Sequence, residues 1–317
     1  MRQPNPPALD ELELVHQRWE RRQSDVKGGI HVRDSFRCSR LGKRASFWRK
    51  TGSTFSHDPL DPQEEHGLIV VTTLQRDHRA NRLLAALEPA DFAMLEPHLE
   101  IVALPKGAVL YEAGEPIQHT YFPHDAIVSL VEGMEDGRVA EVALFGREGM
   151  FGLLSAFISG EALGRYVVLV SGAASRIPVE RMHRLLVLRS RLRRMVAAFN
   201  EAVLAQVFQA VACNALHPVE ARCCRWLLNT RDRMDHDTLP LTHERLAEML
   251  GVQRSTVSTV LRALQTSGLI AQRRGGIVVT NRAGLEQGTC ECYRKVRLRV
   301  EKVLPGPHPR FERTKPS

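Results

Sequence analysis

Between positions 254 and 262 six side chains end in guanidinium or hydroxyl groups: Arg254, Ser255, Thr256, Ser258, Thr259 and Arg262. All are hydrogen-bond donors, none is anionic, and a guanidinium can fork onto two acceptors at once. That chemistry suits a polyanion with acceptor-rich edges, where hydroxyls take up phosphate oxygens and an arginine reads paired acceptors. The apolar residues interleaved with them, Val257, Val260, Leu261 and Leu264, recur at helical spacing. A helix here buries one stripe and leaves a small, polar, cationic face outward. Two more guanidinium groups, Arg273 and Arg274, precede Gly275-Gly276 in a segment, Leu269 to Thr280, that reads as two short strands around a turn.

These groups need elements to hold them. Thr242 is placed to N-cap a preceding helix whose buried stripe is Leu246, Met249 and Leu250. Gly251 then supplies the left-handed residue at the helix end, and Val252 packs the turn. Helix, tight turn, second helix and basic hairpin together form a winged helix-turn-helix pattern, with double-stranded DNA as its expected partner. His243, beside the cap, reads as a surface or phosphate-contacting residue. From Pro240 to Ser317 fourteen Lys and Arg face six Glu and no Asp, an excess of eight that equals the +8 of the whole chain. The basicity is therefore concentrated around this pattern.

The chain has 317 residues, 43% of them hydrophobic, enough for at least one sizeable core and about two domains. No run approaches the roughly 20 apolar residues that span a bilayer, and the start lacks the apolar core of a secretory signal, so no membrane association and a cytoplasmic location are expected. Six cysteines without a dense framework fit a reducing compartment. Phosphate-cradling glycine loops of the nucleotide-binding types, HExxH and a nucleophile elbow are all missing, and no enzyme is expected.

Along the chain, residues 1–75 are rich in Pro, Gly, Ser, Arg and His and read as a disordered extension; a start site assigned too far upstream is the alternative origin. Residues 76–180 open with short helices broken by Pro89 and Pro97. Short alternating strands separated by glycines follow, the pattern of a sandwich or jelly-roll barrel. Asp136-Gly137 is a hairpin turn within it. Residues 181–216 carry Leu192, Val196, Phe199, Val203, Gln206, Ala210 and Cys213 at four-three spacing, as the seam of a dimerisation helix would; a long helix laid against the barrel is the alternative. Residues 217–285 hold the winged helix-turn-helix, and 286–317 form a basic tail. The expected fold class is α+β: a jelly-roll sensor barrel, a long dimerisation helix and a C-terminal winged helix-turn-helix.

This order resembles the CRP/FNR superfamily of bacterial transcription regulators over about residues 80 to 285. The run LTHERLAEMLGVQRSTVSTVLRALQTSGLI and the barrel segments KGAVLYEAGEP and FGREGMFGLLSAF carry the resemblance. It implies a homodimer that reads an inverted repeat, with RNA polymerase as a further partner where such a regulator activates. Arg254 matches the early recognition-helix arginine that contacts a guanine. Ser255 stands where many members have Glu, and Thr259 where a second Arg is common, so a consensus site cannot be borrowed. Thr256 and Ser258 are assigned to phosphates, as are Arg273 and Arg274 in the wing.

The sensor site also departs from the family's pattern. Cyclic-nucleotide-binding members carry FGE, whereas this chain has Phe151-Gly152-Leu153, and the nearby Arg165 does not align with the phosphate-pairing arginine. With Leu153 at the carboxylate position a ribose hydroxyl is left unpaired, at about 1–3 kcal/mol, and cyclic AMP is disfavoured. Gly152, Leu153 and Arg165 remain the candidate ligand residues. An iron-sulfur cluster is disfavoured as well, because Cys38 is the one cysteine near the N-terminus and a cluster takes four thiolates. Cys223-Cys224 reads as core packing. Cys290-Glu291-Cys292 lacks a partner pair in the sequence, so no metal site is assigned. A non-catalytic ligand-binding or scaffold protein, using the winged helix for protein contacts, is the alternative function.

Overall fold

The computed structural model describes residues 77–304. The expected extension over 1–75 and the end of the basic tail lie outside them. Two short helices open the described chain, α1 (Arg82–Ala85) and α2 (Pro89–Leu95). Asn81 fastens the first: its Oδ1 accepts from the amides of Leu83 and Leu84, while its Nδ2 donates to Pro123 and Gly149 carbonyls at 2.8 Å each. The cap is thus also a bolt onto the barrel, with every polar atom of a buried amide used.

The barrel is two facing antiparallel sheets. One has the order β1 (Glu100–Leu104), β7 (Gly172–Pro178), β3 (His119–Pro123); the other has β2 (Val109–Tyr111), β6 (Arg165–Val170), β4 (Ile127–Gly133), β5 (Val139–Phe145). Strands β4 and β5 meet through the Asp136-Gly137 turn, where Gly137 takes a φ of 86°. The strands of the four-stranded sheet are apolar on both faces. Val128, Ala143, Phe145, Tyr166 and Val168 point into the barrel, while Ile127, Leu144, Val167 and Leu169 belong to the core shared with the C-terminal module. This period-2 division puts apolar residues on both faces, so these strands depart from the apolar and polar alternation expected of them.

After α3 (Leu153–Ile158), which lies between β5 and β6, the region expected as one long helix is two: α4 (Val179–Leu188) and α5 (Ser190–Leu216). They break at Arg189, whose extended backbone lets its guanidinium pair with the buried Asp91 of α2. The seam read from the sequence is largely consumed within the chain. Leu192, Val196 and Phe199 are buried in a cluster with Leu83, Phe92 and Met182, and Cys213 is buried at the other end. The four-three spacing there records packing on this chain's own helices. A second row on α5, Leu204, Phe208 and Val211, is 48%, 66% and 65% exposed. This helix is also long and apolar enough to cross a bilayer by length and composition, although its first half is packed as just described.

Helix α6 (Val219–Arg231), strand β8 (Thr238–Leu239), helices α7 (His243–Leu250) and α8 (Arg254–Thr266), and strands β9 (Ile270–Arg273) and β10 (Gly276–Val279) follow. The two-residue β8 pairs with β10, making the wing three-stranded. At Gly276 a Cβ would lie 2.1 Å from the Leu239 carbonyl oxygen, so only glycine admits this third strand. The segment read as a basic tail continues as α9 (Arg282–Gly288) and α10 (Cys292–Val303), and Tyr293, Val296 and Leu304 are buried.

Candidate nucleic-acid interface

Thr242 caps α7, its Oγ1 accepting from the Arg245 amide at 3.2 Å, and Gly251 closes that helix in the left-handed region with φ 63°. The chain then re-enters α8 at Arg254. Val257, Val260, Leu261 and Leu264 are buried, whereas Arg254, Ser255, Thr256, Thr259 and Arg262 are exposed on the opposite face. Strands β9 and β10 pair Arg273 with Gly276, so the turn is Arg274-Gly275 with Gly275 at φ 97°, and both arginines stand in solvent. A cleft of about 440 Å³ runs between these elements, with Thr242, Arg254, Gln272 and Arg273 along it and Lys106 of the barrel at its edge.

Not every hydroxyl expected on this face is open. Ser258 lies 2.9 Å from Nδ1 of His243, whose Nε2 is 2.7 Å from Oε1 of Gln272 in β9. With that amide orientation Nε2 donates and Nδ1 accepts the Ser258 hydroxyl. His243 is therefore an internal brace joining α7, α8 and the wing, and Ser258 is engaged within the protein. Gln265 adds a second tie, accepting from the Gln272 amide at 3.2 Å. Thr259 donates to the Ser255 carbonyl at 3.1 Å, a back-bond within the helix. Arg254 is held by Glu244 of α7 at 2.8 Å, with both side chains more than half exposed. An exposed pair of this kind contributes about 0–1 kcal/mol, so it orients the guanidinium without competing seriously with a base edge. The sequence signal for these ties was present only as residue types; the partners come from three separate elements.

The module docks on the outer face of the four-stranded sheet. Trp226 Nε1 donates to Glu141 Oε1 at 2.9 Å, and Ser129 donates to Glu141 Oε2 at 2.8 Å. Burial pushes the Glu141 carboxyl up to about 7, against the pull of those two bonds. Nearby, Arg233 and Glu148 form a nearly buried pair at 2.7 Å. Lys106 Nζ donates to the Pro240 carbonyl at 2.7 Å, just before α7.

The candidate ligand residues of the barrel do not converge. Gly152 has φ 92°, and a Cβ there would sit 2.6 Å from the His119 carbonyl oxygen. Leu153 is buried in the helix-side cluster with Leu83 and Met182, outside the group that fills the barrel. Arg165 pairs with Glu112 at 2.7 Å near the surface. Between the sheets stand Tyr111, Tyr121, Phe145, Phe151 and Tyr166, with Tyr121 stacked on Phe151 at 5.0 Å and Phe151 on Tyr166 at 5.2 Å. Burial raises the Tyr111 hydroxyl to about 12, so it stays neutral in this apolar packing.

Comparison with known proteins follows the same division. The cyclic nucleotide-binding domain model matches residues 101–187, and the Crp-like helix-turn-helix domain model matches residues 221–287. The chain belongs to the CRP/FNR superfamily. It is a CRP-like transcriptional regulator with a DNA-binding helix-turn-helix, and neither matched model describes a catalyst. Among curated relatives of this CRP/FNR chain, the global nitrogen regulator of Synechococcus elongatus is 26% identical over 200 residues, 60% of the chain and 89% of that protein. The CRP-like cAMP-activated global transcriptional regulator of Mycobacterium tuberculosis is 22% identical over 206 residues, 63% of the chain and 92% of that protein. Among solved structures, FixK2 of Bradyrhizobium japonicum aligns with a TM-score of 0.53 at 19% identity, covering 61% of this chain and 98% of its own. A structure from Eubacterium rectale, described as a transcriptional regulator of the CRP/FNR family, aligns with a TM-score of 0.52 at 18% identity, covering 68% and 99%. At these identities the solved structures support the fold alone.

Proposed function

We propose that the protein acts in the cytoplasm as a homodimer that reads an inverted repeat, each copy placing α8 in a major groove and the Arg273-Arg274 wing on the flanking backbone. The observation that carries this reading is the exposed donor face of α8, with Arg254 at its first turn, where a fork onto guanine O6 and N7 is geometrically available. Ser255, Thr256, Thr259 and Arg262 supply further base or phosphate contacts. Ser258 acts through His243 to set the angle between helix and wing. The row Leu204, Phe208 and Val211 on α5 is the surface for the second copy: it repeats at heptad spacing and lies just before the DNA-binding module.

The barrel couples to the module through the docking face around Glu141 and Arg233. With the interior occupied by aromatic rings, and Leu153 and Arg165 engaged elsewhere, cyclic AMP is not the assigned effector. RNA polymerase is a further partner if the regulator activates.

The reading is tested by selecting bound duplexes from a random pool with the full-length protein at fixed salt, with and without cyclic AMP, alongside sedimentation of wild type and Phe208→Glu. The expected outcome is an inverted repeat enriched in both arms by a dimer, and a Phe208→Glu monomer that loses the second half-site. Binding that does not discriminate among sequences would replace this reading with that of a scaffold whose winged helix contacts protein.

A further inference from the structure

The end of α5 and the junction between α9 and α10 bring together four side chains from distant parts of the chain. Cys213 lies in the last turn of α5 and His217 at its C-cap, one turn apart; Cys290 and Cys292 flank Glu291 where α10 begins. Their three sulfurs and one imidazole nitrogen all lie within 4.8 Å of one another. Cys213 Sγ is 3.5 Å from Cys290 Sγ, and Cys292 Sγ is 3.4 Å from His217 Nδ1. Thiolate donors at about 2.3 Å and a nitrogen at about 2.0–2.1 Å around a tetrahedral centre stand roughly 3.5–3.8 Å apart. Two opposite edges of such a tetrahedron are therefore already near their required length. The same sulfur separation is far beyond the roughly 2.05 Å of a disulfide.

Groups around the cluster hold its members in ligating orientation. Gln209 Nε2 donates to Cys292 Sγ at 3.0 Å. Glu291 Oε2 lies 3.4 Å from His217 Nε2, which leaves Nδ1 facing the sulfurs, the arrangement by which an outer carboxylate fixes the tautomer of a metal-bound histidine. Cys213 and Cys292 are fully buried, Cys290 is 9% exposed, and the partly open His217 gives a path from solvent.

We propose that Cys213, His217, Cys290 and Cys292 form a mononuclear, tetrahedral zinc(II) site that staples α10 to the end of α5. Three soft thiolates and an imidazole select zinc over magnesium or calcium, and four protein ligands close the coordination sphere, as structural sites require. The staple sits at the turn where α5 hands the chain to the DNA-binding module. Arg222, in the first turns of α6, donates to Asn214 Oδ1 beside the site and to the Leu250 carbonyl at the end of α7. Occupancy thereby fixes the approach of the helix-turn-helix to α5.

Full-length protein, reduced and stripped with a chelator, is titrated with Co²⁺ as a spectroscopic probe and then with Zn²⁺, and the unstripped protein is assayed for metal content. The expected result is one zinc per chain, and a cobalt form showing tetrahedral ligand-field and thiolate charge-transfer bands that zinc abolishes. Cys290→Ser and Cys292→Ser lose these bands. Glu291→Gln, a surface change that should fold normally, keeps the bands and weakens zinc binding by about 10-fold or more. Cys223→Ala, in a buried cysteine outside the cluster, leaves binding unchanged. A reduced, stripped wild type that takes up neither metal, or an octahedral cobalt spectrum without charge transfer, overturns the proposal. So does zinc affinity unaltered by Cys290→Ser and Cys292→Ser.

Discussion

Between the sheets of the barrel, Tyr121, Phe151 and Tyr166 stack at 5.0 and 5.2 Å, and the space where a sensor ligand would lie is filled by the protein's own rings. Along α8, Arg254, Ser255, Thr256, Thr259 and Arg262 stand in solvent. The first region is closed by residues whose burial holds the fold together; the second carries groups whose removal leaves the fold intact. Barrel substitutions should therefore register in stability and helix-face substitutions in binding.

The sharpest break of that contrast is Phe151→Ala. Truncating this buried ring is expected to lower unfolding free energy by about 3–5 kcal/mol in chemical denaturation, while the folded fraction keeps its DNA sequence preference. A preference that shifted with it would mean that the barrel interior sets the recognition geometry.

Next comes Glu141, on the boundary between the regions. Its folded-state pKa, about 7, lies above its ordinary 4.5, so the folded protein binds the extra proton between those values. Stability should therefore fall as pH rises from about 4.5 to about 7 and level off above. Glu141→Gln, which can still accept from Trp226 and donate to Ser129, should remove that slope and stabilise the protein above pH 7 by about 3 kcal/mol. An unchanged pH profile would show that Glu141 is ionised at no cost.

On the open face, Arg254→Ala should weaken specific binding by about 1–3 kcal/mol and relax one base position, with thermal stability nearly unchanged. Smallest is Arg274→Ala, which should weaken all sequences alike and reduce the salt slope of binding by about one. If the two variants behaved identically, the division between base reading on α8 and backbone contact in the wing would fall.

Much of this was legible from local signals. Thr242 and Gly251 mark helix ends by short-range chemistry, and the buried stripe of α8 follows from its period alone. Strand β8 escaped because two residues carry no alternation, and its presence is recorded only by the tight approach at Gly276. On α5 the first residues of the seam row, Leu192, Val196 and Phe199, pack within the chain, because the helix carries two apolar rows at the same spacing and periodicity cannot tell which row meets the chain's own helices. Ser258 looked like its neighbours until His243 and Gln272 arrived from other elements. The Cys213, His217, Cys290 and Cys292 group was invisible for a related reason: its halves are joined only after α6 through α9 have folded between them. Arg165 and Leu153 were singled out by position in a family pattern, and packing sent them to different surroundings.

Trp226 turns the joint between barrel and DNA-binding module into an optical reporter. Its indole N–H points at a carboxylate across that joint, and Trp19 and Trp48 are the only other tryptophans in the chain. Emission from this ring, isolated by replacing the other two, would follow in real time any effector, metal or operator that pulls the two regions apart.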